Sequence, residues 1–216
     1  MDLLTAAWNY VLAHPRQFAT AFATHLALSA AALALGAAIA FPAGIAAARR
    51  PGLALAAVGV ANVGRTLPSL AVLALVMPLL GTGFAPSLFA LTLLALPPML
   101  LNTIVGLRGV DPDVVDAARG MGMTQRTILR RVLLPLALPV MSAGVRTAAV
   151  QVISGAVLAA FIGGGGLGDF ITAGIAMMAW PQILVGAIPV TLLALGADFA
   201  FGRLQRRLTP AGLRPA

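Results

Sequence analysis

The sequence predicts an all-α membrane protein with about five transmembrane helices, and three observations carry that prediction. First, 60% of its 216 residues are hydrophobic, only 9% are charged, and the mean hydropathy is +0.99; soluble domains are about a quarter charged. Second, apolar runs of about 20 residues recur, the length a helix needs to cross a ~30 Å hydrocarbon core. Third, the remaining charges stand mostly at the ends of those runs. The one long polar interruption, Asp111 to Pro135, holds three of the six acidic residues and four of the fourteen arginines. The absence of Cys excludes disulfides and thiolate metal sites. His14 and His25 are the only histidines and both stand near the N-terminus, which argues against a metal centre; no cofactor is expected. A pI near 11.9 would suit a nucleic-acid binder. Arginines flanking apolar runs are instead the positive-inside pattern of a membrane protein, so no nucleic-acid partner is expected.

In chain order, Met1 to Gln17 is mildly amphipathic, and no cleavable signal peptide is expected there; Trp8 and Tyr10 suit a membrane interface. A first span from about Phe18 to Ala48 is stopped by Arg49, Arg50, Pro51 and Gly52. It is longer than a span needs, so its first turns, His25 among them, protrude or lie along the surface. As a lone histidine, His25 reads as a packing or interface residue. One span over Leu53 to Leu80 would bury Arg65 near its middle, at high cost. An interfacial helix at 53–63 and a second span from Thr66 to Leu80 avoid that. Gly81-Thr82-Gly83 makes a tight external turn. The third span, Pro86 to Leu107, is broken by Pro97-Pro98, whose freed carbonyls need partners. A fourth span runs from Leu136 to Ile162, and a Gly-rich external segment follows from Gly163 to Trp180. The fifth, Ile183 to Phe201, ends at Arg203, Arg206 and Arg207.

This topology places the N-terminus outside, with twelve arginines including Arg214 in the cytoplasm, Arg16 alone outside and Arg146 alone within a span. Residues 1–216 read as a single transmembrane unit, with a core at about 20–207 and a cytoplasmic hairpin at 111–135.

Within the hairpin, Asp111 is a good N-cap, Pro112 suits the first helical position, and Asp113 and Asp116 complement the positive helix end. Gly120 and Gly122 can end that helix. Thr124 can cap a second helix through Leu133, closed by Pro135. Two readings stand for the resulting pair of short helices: a solvated connection between spans, or a docking element for a cytoplasmic partner.

A further pattern favours docking. Asp116-Ala117-Ala118, three residues, Gly122, nine residues, Val132, one residue and Leu134-Pro135 resembles the EAA signature of permease subunits of bacterial ABC importers. Asp replaces Glu at 116 and Val replaces Ile at 132. The resemblance implies the type I ABC importer permease fold and a place in the bacterial cytoplasmic (inner) membrane. It also implies that Asp116, Ala117, Ala118, Gly122, Arg126, Leu134 and Pro135 form the coupling element that docks on an ATPase subunit. No GxxxxGK[ST] motif occurs in the chain, so the ATPase is a separate chain and this one is not an enzyme. The other implied partners are a second permease copy or paralogue, a periplasmic or lipid-anchored binding protein, and the surrounding lipid. Gly64 to Leu70, Arg119 to Thr124, Leu134 to Pro139 and Gly163 to Phe170 together look like permeases for glycine betaine, carnitine or choline. Methionine permeases share the five-span layout and a related Gly-Gly-Leu-Gly segment.

Physics alone does not reach the solute, because the twelve aromatics form no evident cage for a trimethylammonium group. The best path candidate is the fourth span, where Ser142, Arg146, Thr147, Gln151 and Ser154 share one helical face and polar groups in a membrane face protein or water. Arg146 reads as pore lining, as a partner for Asp198 or a backbone carbonyl, or as a residue that sets the helix at an interface between two permeases. Gly144, Ala148 and Gly155 suit such close packing. Gly163, Gly164, Gly165 and Gly166 read as a flexible external loop or as a hinge beside the gate. Two other function classes fit less well. An ion-coupled secondary transporter needs an intramembrane carboxylate, and Asp198 is the only candidate. An intramembrane enzyme has no nucleophile motif to build on.

Overall fold

The computed structural model describes residues 2–66 and 68–209. Leu67 and Arg214, both used in the sequence reading, lie outside the described residues, as does the side chain of Arg65. All regular structure in the described residues is helical. Four helices are long and apolar enough to cross a membrane, or five if one bent pair counts as a single span.

The short helix α1 (Leu3–Ala13) gives way at His14 to α2 (Pro15–Ala48), which carries Pro15 in its first turn, where the missing N–H costs nothing. At 34 residues α2 is about 51 Å long, well beyond a ~30 Å hydrocarbon core. Next come α3 (Pro51–Thr66) and α4 (Ser69–Leu80). Pro68 is the extended N-cap of α4, and the axes of the two helices differ by 93°. The expected second span, Thr66 to Leu80, is therefore corrected: α4 has 12 residues, about 18 Å, and reaches the length of a span only together with the bent α3.

Helix α5 (Phe84–Arg108) runs through Pro97 and Pro98 without the expected break. Each proline removes one rung of the ladder, and packing holds the helix together: both rings are buried between neighbouring helices. Then follow α6 (Pro112–Gly120), α7 (Gln125–Ile128), a π-helical turn (Leu129–Leu133) and α8 (Leu134–Gly155). Pro135 does not close the second hairpin helix as the sequence suggested. Helical structure continues from Gln125 to Ile162, and the wider π turn just before Pro135 absorbs the ring that would break an ordinary α-helix. The last turns, Ala156–Ile162, tighten to a 3₁₀ helix. Helix α9 (Gly168–Ala176) lies within the Gly-rich stretch, and α10 (Trp180–Leu208) ends the described chain.

The core is the three-helix contact of α2, α5 and α8. Leu28, Ala32 and Ala40 meet Leu91, Ala95 and Met99, with Ala148, Val152, Ala156 and Ala159 closing the cluster. Small residues let the backbones approach: a Cβ on Gly36 would stand 2.8 Å from that of Ala95. A second cluster joins α1, α9 and α10 to the start of α2 through Ala7, Ala21, Leu167, Phe170 and Val185.

Candidate functional site

Local chemistry builds the hairpin as its caps predict. The Asp111 carboxylate accepts the Asp113 backbone N–H at 2.9 Å, and the Thr124 hydroxyl accepts that of Thr127 at 3.3 Å. Between them the chain reverses at Gly122, whose φ of +79° belongs to the region glycine enters without strain. Leu129, Leu133 and Leu134 anchor the second limb against Leu107, Ala137, Met141 and Phe41, Ile45 and Ala48 of α2, and Ile128 is fully buried. In the first limb, α6, Ala118 is 2% exposed, and its carbonyl accepts the Met123 N–H at 3.2 Å.

Of the seven residues read as a coupling element, Asp116, Ala117, Gly122 and Arg126 are exposed. Ala118 is buried. Leu134 and Pro135 are half-buried at the head of α8. Asp116 accepts from Arg119 at 2.9 Å in an exposed pair one turn apart, a contact of little energetic weight that fixes the pattern of charge on the helix. The sequence reading passed over Val114 and Met121. Val114 is 43% and Met121 69% exposed. Val114 and Ala117 lie on α6 and Met121 is its C-cap, at steps of three and four, so the three form one apolar stripe along the first limb. The helical period of the three residues was the available signal.

On α8, Thr147, Gln151 and Ser154 are exposed in one row, while Ala148, Ala149, Val152 and Ile153 on the other side are buried. Ser142 and Thr147 donate to carbonyls of their own helix, Leu138 at 2.8 Å and Ala143 at 3.1 Å. Among the alternatives for Arg146, the structure gives it Asp198 of α10 as partner. Nε and one terminal nitrogen meet the two carboxylate oxygens at 2.6 and 2.7 Å. The two side chains keep 40% and 42% of their surface, so the pair looks onto open space beside the polar row. Asp198, the only carboxylate available to an ion-coupled carrier, is thus engaged. Gly144 and Gly155 do not reserve a face for a second subunit: a Cβ on either would meet α5, at Asn102 and Leu94, both at 2.7 Å.

The glycine run is packed into the bundle. Gly163 ends the 3₁₀ helix at φ +71°, and the Gly164 N–H donates to Ala159 at 2.8 Å. A Cβ on Gly164 would collide with the Ser87 hydroxyl of α5. Gly166, at φ +102°, lies against the imidazole of His25, and His25 is fully buried. An open cleft of about 370 Å³ separates this segment from the first turns of α2; Arg16, Gln17, Thr20 and Thr24 face Gly165 and Asp169 across it. Partial burial pushes the Asp169 carboxyl above the ordinary carboxylate value.

The described residues thus combine helices long and apolar enough to cross a membrane, a polar row on α8 and a charged hairpin between two of those helices. The match to known proteins makes that specific. Residues 40–210 match the family described as "Binding-protein-dependent transport system inner membrane component". The chain is 48% identical to the carnitine transport permease protein OpuCB of Listeria monocytogenes, over 89% of this chain and 88% of that protein. It is 43% identical to the choline transport system permease protein OpuBB of Bacillus subtilis, over 88% of each. Among solved structures, an inward-facing MetNI methionine ABC transporter superposes with a TM-score of 0.79, over 91% of this chain and 99% of that one, at 22% identity. The chain belongs to the binding-protein-dependent inner-membrane transport family. It has the fold of type I ABC importer permeases and is a multi-pass permease subunit of the inner membrane, a class that works with ATPase and substrate-binding partners.

Proposed function

We propose that this permease carries a quaternary-ammonium osmoprotectant, in the class of carnitine, choline and glycine betaine. It is driven by a separate ATPase that docks on the hairpin at Val114, Asp116, Ala117, Met121, Gly122 and Arg126. The observation that carries the docking reading is the projecting α6, with an apolar stripe left exposed on an otherwise charged element. An uncovered stripe of that kind is the surface a partner protein uses. Relatives 36% to 48% identical and named for carnitine, choline and glycine betaine support the solute class. The likeness to a methionine transporter at 22% identity bears on the fold and not on the solute.

In this reading the N-terminus is outside and the hairpin cytoplasmic, as the arginine distribution favours. Two permeases, identical or paralogous, enclose the path, with Thr147, Gln151 and Ser154 lining it beside the Arg146–Asp198 pair. A binding protein delivers the solute at the other end, and the glycine-rich segment moves with the gate there. ATP binding draws the ATPases together, and the hairpins carry that motion into the spans. The test is purification from the native host in mild detergent. An ATPase subunit should accompany the chain, and Gly122→Trp should lose it while still inserting in the membrane. A lone oligomer that transports without ATP would overturn the reading.

A further inference from the structure

His25 joins three elements that lie far apart in sequence. Its Nε2 lies 3.0 Å from the carbonyl oxygen of Ile153, 128 residues away. That carbonyl has a particular reason to need a donor. The Ala156 N–H still reaches Val152 in α-helical register, and from Ala156 onward the helix tightens to 3₁₀. Where the register shortens from four residues to three, one carbonyl is passed over. Ile153 is next in line, and the imidazole takes it. A carbonyl oxygen only accepts, so Nε2 carries the proton and Nδ1 is a bare acceptor.

Nδ1 faces the glycine run. A Cβ on Gly166 would stand 3.3 Å from it and 3.5 Å from the His25 Cα and Cβ, so Gly166 packs close against His25. Among the described residues, Nδ1 and the hydroxyl of Ser29, one turn further along α2, are the two buried side-chain polar atoms without a partner. Nδ1 becomes open to water if the glycine segment lifts. The ring thus bonds the fourth span through Nε2 and packs against Gly166 on its Nδ1 side.

We propose that His25 is the latch through which the first span holds the glycine-rich segment against the fourth span, and that the segment leaves the imidazole in each transport cycle. The proposal rests on reading this segment as part of the gate. His25 is a positioning residue: it touches no solute, and it acts through Ile153 and Gly166.

The test uses the assembled complex with its ATPase and binding protein in liposomes. The chain has no cysteine, so an engineered pair is clean. A Cβ at 165 would lie 3.4 Å from the Thr24 methyl, within reach of a disulfide. Oxidised Thr24→Cys/Gly165→Cys complex should lose ATP-driven uptake and regain it on reduction, the reduced state controlling for strain at Gly165. Equal uptake in both states would overturn the latch. In a second arm, His25→Phe keeps the ring volume and loses the donor, while His25→Gln can still donate. His25→Phe should retain its ATPase subunit and basal hydrolysis but transport about tenfold less solute per ATP, the scale of one buried hydrogen bond. His25→Gln should recover most of that ratio. Wild-type coupling in the Phe variant, or equal losses in both, would contradict the proposal. A wild-type complex that fails to import with ATP would instead refute the transport reading itself.

Discussion

Arg146 and Asp198 meet fork to fork, with Nε and a terminal nitrogen at 2.6 and 2.7 Å from the two carboxylate oxygens, and so clamp α8 to α10. Each is the other's only ionic partner among the described residues. Removing one leaves an uncompensated charge within a span, which costs more than removing both. Arg146→Ala and Asp198→Ala should each lower the melting temperature in detergent, and the double variant should be more stable than either single one. Additive losses would show that the pair is not coupled.

A second prediction concerns the crossing at Gly164. An added Cβ would collide with the Ser87 side chain, and overpacking of this kind costs about 1–3 kcal/mol. Gly164→Ala should therefore lower thermal stability by that amount, and Ser87→Gly should restore part of it in the double variant. A neutral Gly164→Ala would mean that the segment does not pack as described.

Asp169 yields a pH dependence. Its folded-state value is raised by burial, so the folded protein binds more protons than the unfolded chain just above the ordinary carboxylate range. Stability contributed by this residue is then greatest at low pH and falls as pH rises through the raised value. Asp169→Asn should flatten that fall and give a higher melting temperature at pH 7 than wild type. An unchanged pH profile would contradict the assignment.

On the hairpin, Val114 and Met121 are exposed and make no internal cluster, so changing them should leave the fold alone. If the stripe is a docking surface, Val114→Asp or Met121→Asp should weaken ATPase association about tenfold or more, the scale of an interface hot spot. Melting temperature should not change. Undiminished association would point to another surface.

What could be read in the sequence was local. Asp111 and Thr124 announce their helices because a cap and its target are two or three residues apart. Long apolar runs found the spans, because length and composition suffice. Prolines misled: Pro97, Pro98 and Pro135 look like breaks, yet burial and a π turn carry the helices through them. The spacing at 116 to 118 marked the hairpin but not which way Ala118 points. Partners across the bundle were beyond reach. His25 finds Ile153 only because α2 crosses α8 at the point where the register changes, and no window of sequence contains both. Gly144 and Gly155 show small-residue spacing without saying which neighbour uses it.

The central claim is that the chain is the path of an ATP-driven importer for quaternary-ammonium solutes, worked through the hairpin. The most direct measurement is uptake of radiolabelled carnitine, choline and glycine betaine by liposomes holding the native complex and its binding protein, with and without ATP, beside the Met121→Asp variant. Concentrative uptake of at least one of these solutes should require ATP and be lost in the variant. Uptake that equilibrates without ATP, or that proceeds unchanged in Met121→Asp, would contradict it.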